Sequence, residues 1–223
     1  MRNGCVAVLA VVLGCSDPRE RPDPVPGEAP VSGMCDDGED DGFATCVGSF
    51  DPRAPASFGH DEMPGIVLGP PMPPASGGGM DVASLGCDGR ITLGFAGGVR
   101  NGPGDDLIVF ENAFATTDGT FAEPGRVLVS EDGIDWYAFE CDAQAHDADG
   151  CAGVSPSTAV DAALARDPMV AGGDAFDLDA LALDRVVWVR IVDRTRAHYG
   201  NDMWCGGAGS GFDLDGVARV HDP

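Results

Sequence analysis

Lysine is absent from this sequence of 223 residues, and its 13 basic residues, all arginine, face 37 acidic ones. The formal charge of −24 makes nucleic acid and anionic membrane surfaces poor electrostatic partners. Long apolar runs are also missing. The longest, Gly4 to Gly14, is too short to cross a bilayer as a mature helix. Catalytic signatures are absent too: there is no His-Glu-x-x-His, no Walker loop and no Gly-x-Ser-x-Gly elbow. Strand and helix patterns do not alternate, which disfavours a parallel sheet.

What is abundant points elsewhere. Glycine (33) and proline (17) make up about a fifth of the chain, against a helical bundle. Aspartate outnumbers glutamate 29 to 8, a bias that suits turns and oxygen-ligand sites. A hydrophobic content of 43% still supplies a core.

Arg2 followed by the apolar run fits a signal peptide over residues 1–14. The run ends in Val12-Leu13-Gly14-Cys15, which resembles the lipobox of bacterial lipoproteins. That resemblance implies export, lipidation of Cys15 at its sulfur, and stable attachment to a membrane through acyl chains. An ordinary secretory signal cleaved nearby is the alternative. Residues 15–34 are rich in proline and charge and read as a flexible tether. Residues 35–63 read as an acidic segment, closed by cysteines at 35 and 46, and residues 64–223 as the folded domain.

Six cysteines lie beyond the signal, and an even set in an exported chain predicts disulfides over zinc, for which no Cys-x-x-Cys or histidine spacing is present. They permit about 15 connectivities. Local closure of Cys35 with Cys46 and of Cys141 with Cys151 is attractive because each pair brackets a polar loop. Cys87 and Cys205 would then remain to pair.

Strand signals recur from residue 66 onward. Ile66 to Leu68, Arg90 to Phe95, Leu107 to Phe110, Arg126 to Ser130, Trp136 to Phe139, Arg185 to Val192 and Phe212 to Val220 carry them. Glu131-Asp132-Gly133 marks a hairpin turn. Only Ser157 to Arg166 reads as a helix. The expected fold is all-β: a two-sheet, jelly-roll-like β-sandwich with long Gly/Asp-rich loops and at most one short helix.

Several motifs occur in order: residues 77–86, Ile91 to Phe95, residues 102–112, Phe121 to Pro124 with residues 127–133, residues 171–178, Val189 to Asp193 and Gly211 to Asp215. Together they resemble a family of exported bacterial cell-surface proteins, some of which carry PEP-CTERM sorting tails. The likeness covers roughly residues 64 to 220 and transfers no activity. Val129 to Trp136 followed by Val189 to Ile191 is similar to discoidin-type, galactose-binding-like jelly rolls, which supports a fold more than a ligand.

Two Phe-Asp-Leu-Asp elements, Phe176 to Asp179 and Phe212 to Asp215, place paired carboxylates on one face of an extended chain. Asp105, Asp106, Glu111, Asn112, Asp174, Asp177, Asp213 and Asp215 are the candidate ligands of calcium, a hard cation that takes six to eight oxygens. Arg190 and Arg194 could instead neutralise the same cluster. Trp204 and Tyr199, beside Asn201 and Asp202, form a candidate stacking platform for a sugar, although Trp204 could equally shield a disulfide. The sequence thus predicts an envelope-anchored lipoprotein that displays a non-catalytic, calcium-stabilised sandwich and binds a glycan or a surface protein. An extracytoplasmic hydrolase that acts on carbohydrate through acidic residues such as Glu111 and Asp213 is the alternative.

Overall fold

A computed structural model describes residues 20–31, 35, 40–72, 80–117, 119–159 and 161–223. Cys15, the signal peptide and part of the tether lie outside them. The strands are β1 (Cys46–Asp51), β2 (Ala83–Ser84), β3 (Arg90–Arg100), β4 (Leu107–Glu111), β5 (Phe114–Thr116), β6 (Gly119–Phe121), β7 (Gly125–Ser130), β8 (Tyr137–Ala138), β9 (Asp174–Phe176), β10 (Arg185–Asp193) and β11 (Asp213–Arg219). They form a five-stranded sheet in the order β1-β3-β10-β7-β8, a four-stranded sheet in the order β2-β11-β4-β9, and the hairpin β5-β6. Every pairing among these strands is antiparallel. From β1 to β4 and again from β8 to β11, consecutive strands switch sheets, so the fold is an all-β sandwich.

Alternation drives the two sheets together. Ile91, Leu93 and Phe95 of β3 meet Leu107 and Val109 of β4, with Val189, Ile191, Phe212, Leu214 and Val217 in the same apolar layer. Full burial of each such side chain contributes about 1.5–3 kcal/mol. The unbroken apolar run of β4 is explained by a second layer. Ile108 and Phe110 point outward and are covered by Phe43, Ala159, Ala165 and Ala171. The 126–130 and 136–139 pair forms the expected hairpin, with Val129 opposite Tyr137.

Four expectations are corrected. Residues 46–51, assigned to a separate acidic segment, form the edge strand β1 against β3. Ile66 lies in a 3-10 turn, Gly65–Val67, because the flanking Pro64 and Gly69-Pro70 leave no length for a ladder. The expected helix at Ser157 to Arg166 is reduced to a 3-10 turn, Leu164–Arg166, and Ser157 instead bridges to Gly172. The α-helix is α1 (Thr195–Tyr199), closed by Gly200 in the left-handed region. Among the described residues no helix is long and apolar enough to cross a membrane.

The fourth correction concerns the tether. Residues 20–31 dock on the outer face of the five-stranded sheet. Val25 N–H donates to Trp136 O and Val31 N–H to Gly133 O, each at 2.8 Å, and Val31 packs with Leu128, Trp136 and Trp188. The two tryptophans are therefore buried, yet beneath this strap rather than between the sheets.

All three cysteine pairs stand as disulfides: Cys35–Cys46, Cys87–Cys205 and Cys141–Cys151. The first staples the strap to β1. The second fastens the loop carrying Trp204 to the turn before β3.

Candidate functional site

Carboxylates converge at the end of the sandwich where β4 finishes and β11 begins. Glu111 closes β4, and Leu214 of β11 pairs with it. Asp213 opens β11. Glu123 belongs to the short crossing from β6 to β7, whose Pro124-Gly125 turns the chain into the other sheet. One carboxylate oxygen from each of Glu111, Glu123 and Asp213 lies within 4.8 Å of the other two. Glu111 and Glu123 are buried and Asp213 is partly so.

Two of the three are oriented by a protein hydrogen bond. Glu123 Oε1 accepts from Gly211 N–H at 2.8 Å. Asp213 Oδ1 accepts from Ser84 Oγ. Glu111 Oε2 is buried without a partner among the described residues. Gly211 has φ of 74° and a Cβ there would strike the backbone of Gly86, so glycine alone lets that N–H reach Glu123.

The electrostatic cost is visible in the protonation. Burial, then the charges of Asp213 and Glu123, hold Glu111 well above the usual carboxylate range. Burial first and Asp213 next push Glu123 up to about 9, against the lowering effect of Gly211 N–H. Burial raises Asp213 to about 6 despite its bond from Ser84. Among the described residues no arginine forms an ion pair with these carboxylates. Arg190, expected to do so, lies under the strap instead: Nε donates to Thr92 Oγ1 (2.9 Å), Nη1 to Glu28 Oε2 (2.9 Å) and Nη2 to Ala29 O (2.8 Å), with the guanidinium 3.8 Å from the centre of the Trp136 ring.

A groove of about 760 Å³ opens above the cluster. Glu123, Asp213 and Ser210 line it beside Phe114, Phe121 and Trp204. Phe121 stacks on Phe114 at 5.1 Å and meets Trp204 edge-on at 4.9 Å, while Phe114 and Trp204 remain 47% and 41% exposed. Ser210 is buried, and its hydroxyl has no partner.

The other expected ligands divide. Asn112 lines a smaller cavity with Asp213, on the flank toward Phe58 and Val82. Asp174 lies close enough to raise Glu111 further, but its Oδ2 accepts from Gly153 N–H (2.7 Å), Val154 N–H (3.0 Å) and Ser155 N–H (3.4 Å). Asp105 and Asp106 stand at the opposite end of β4. Asp106 accepts from Gly102 N–H and Leu178 N–H, both at 2.7 Å, and so joins a loop to a turn. Asp177 caps the 3-10 turn Leu178–Leu181, accepting from Asp179 N–H, so the first Phe-Asp-Leu-Asp element is bent rather than extended. A register shift between Leu214 and Gly216 separates the second element's carboxylates. Asp215 accepts from Met72 N–H instead, and burial pushes it to about 7.

Of the expected platform, Trp204 lines the groove. Tyr199 backs it, its hydroxyl donating to Ala122 O at 2.9 Å. Asn201 and Asp202 shape the loop instead: Asn201 bonds Tyr199 O and Met203 N–H, and Asp202 pairs with Arg196. Glu123, Ser210, Phe114 and Phe121 were not identified from sequence. Phe121 to Pro124 is visible as a motif, but nothing local marks Glu123 as facing Glu111.

No protein-family model matches the chain, and no curated protein is similar to it.

Proposed function

We propose that this chain is an exported, lipid-anchored envelope protein whose sandwich holds a calcium ion at Glu111, Glu123 and Asp213 and binds a glycan in the aromatic groove above. The supporting observation is the convergence of three carboxylates, with no arginine paired to them among the described residues, two of which, Glu123 and Asp213, line a groove with two exposed aromatic rings. Burying such a cluster unpaired is costly, and a hard divalent cation relieves the repulsion with the oxygen donors it prefers. Lipid anchoring rests on the lipobox-like residues ending at Cys15.

Thermal melting of the mature protein after chelation, and again after calcium is restored, tests the ion. Calcium at about a hundredfold over its Kd stabilises by about 2.7 kcal/mol, which raises Tm by about 5–10 °C in a chain of this size. Glu111→Gln and Asp213→Asn should abolish the rise. An unchanged Tm overturns the reading.

A hydrolase is the second reading, favoured by one observation: Glu123 and Asp213 line the groove side by side, and burial raises Glu123 further than Asp213, which suits an acid beside a base. A glycosidase panel run beside a glycan array separates the two. Binding without turnover supports recognition.

A further inference from the structure

We propose that the calcium ion is itself the sugar receptor: the glycan coordinates it directly through a vicinal diol, and the preferred ligand is a neutral glycan. This rests on the calcium reading above and adds to it the chemistry of the ligand.

The oxygen arithmetic leads there. Glu123 and Asp213 each commit one oxygen to a protein donor, and Glu111 Oε2 is buried without a partner among the described residues. Each carboxylate therefore supplies one oxygen to a shared ion. Ser210, only 4% exposed and with its hydroxyl unpartnered, lines the same groove as Glu123 and Asp213 and is the candidate for a fourth. Calcium takes about six to eight oxygens. Two to four positions must then be filled from the groove side, where Glu123 and Asp213 form the floor. Two adjacent sugar hydroxyls fill two of them and displace water.

The walls select what carries those hydroxyls. Phe114 and Trp204 present exposed rings above the carboxylates, which suits the apolar C–H face of a pyranose. Three carboxylates and one divalent ion leave a net negative charge at the floor, on a chain whose formal charge is −24. Uronates, sialylated chains and phosphorylated sugars are repelled, whereas neutral hexoses are not.

The test uses the mature protein, with terbium luminescence reporting occupancy of the cation site. Soluble mannan, galactan and dextran serve as neutral probes, mannan and galactan also after periodate cleavage of their vicinal diols, and polygalacturonate as the acidic probe. At least one neutral polymer should bind in calcium, weaken at least a hundredfold in chelator, and fail to bind after periodate. Trp204→Ala and Phe114→Ala should each weaken glycan binding tenfold or more while terbium binding persists. Terbium binding together with glycan binding that survives chelation overturns the inference and leaves the calcium reading intact. So does terbium binding with no neutral polymer bound, or with polygalacturonate preferred. Absence of terbium and calcium binding overturns both.

Discussion

At the residue scale, two aspartates 20 positions apart, Asp193 and Asp213, are put to opposite uses. Asp193 ends β10 and is saturated: Oδ1 accepts from Asp88 N–H (2.8 Å) and Thr195 N–H (3.2 Å), and Oδ2 from Thr195 Oγ1 (2.6 Å) and Phe212 N–H (2.7 Å). It is a structural hub that joins the turn before β3, α1 and the start of β11. Asp213 has one protein partner and opens onto a groove. Asp193→Ala strands several buried donors and should cost about 3 kcal/mol, read as a lower urea midpoint at unchanged m-value. A variant as stable as the parent would show that the hub carries no weight. Sequence alone does not separate these roles, because saturation depends on donors arriving from other strands. Asp213 and Glu111 were legible as candidates because each borders an apolar strand. Glu123 was not, because its partners are about 12 and 90 residues away along the chain and meet it only when the chain crosses between sheets.

At the element scale, the strands were legible where alternation or an unbroken apolar run marks the segment, as in β3, β4, β7, β10 and β11. Two- and three-residue strands such as β2 and β9 carry no periodic signal and exist because their neighbours supply a ladder. The strap shows another limit. Proline and charge in residues 15–34 indicate an extended chain, and extension is also what lets the described part, residues 20–31, lie across a sheet. Its docking is decided by one distant residue. Arg190 is 2% exposed, and among the described residues Glu28 is its one charged hydrogen-bond partner. Glu28→Ala leaves a buried guanidinium short of its anion and should destabilise the fold by about 2–3 kcal/mol, while raising Trp136 and Trp188 fluorescence quenching by acrylamide. Unchanged quenching would mean that the strap stays docked without this pair.

At the scale of the whole molecule, the two ends of the sandwich differ in purpose. The strap enters where Arg21 pairs with Glu131 beyond the far end of β7, roughly 17 Å of strand away from the Gly125 end that carries the carboxylates. Cys87–Cys205 closes a span of 118 residues and holds the Trp204 loop against the carboxylate end. Replacing both cysteines by serine should cost about 4 kcal/mol and weaken glycan binding more than calcium binding. The charge distribution sets a pH dependence of unusual sign. Burial raises Asp106, Asp174 and Asp193 above the ordinary aspartate range, and Asp215 to about 7. The folded chain thus keeps protons that the unfolded chain releases near pH 4, so stability falls as pH rises from about 4 through 7. The opposite contributions are confined to lower pH: the carboxyls of Asp132 and Asp222 are depressed, by the Ile134 N–H and by Arg166 respectively, and their stabilisation is lost only in more acidic solution. Mutual repulsion in a chain carrying −24 grows over the same neutral range and adds to the fall. Melted in chelator, the protein should be most stable near pH 4–5 and lose about 5–10 °C of Tm by pH 8. A Tm that rises across that interval would mean these buried carboxyls are ionised in the fold, held by counter-charges that their hydrogen-bond partners do not supply.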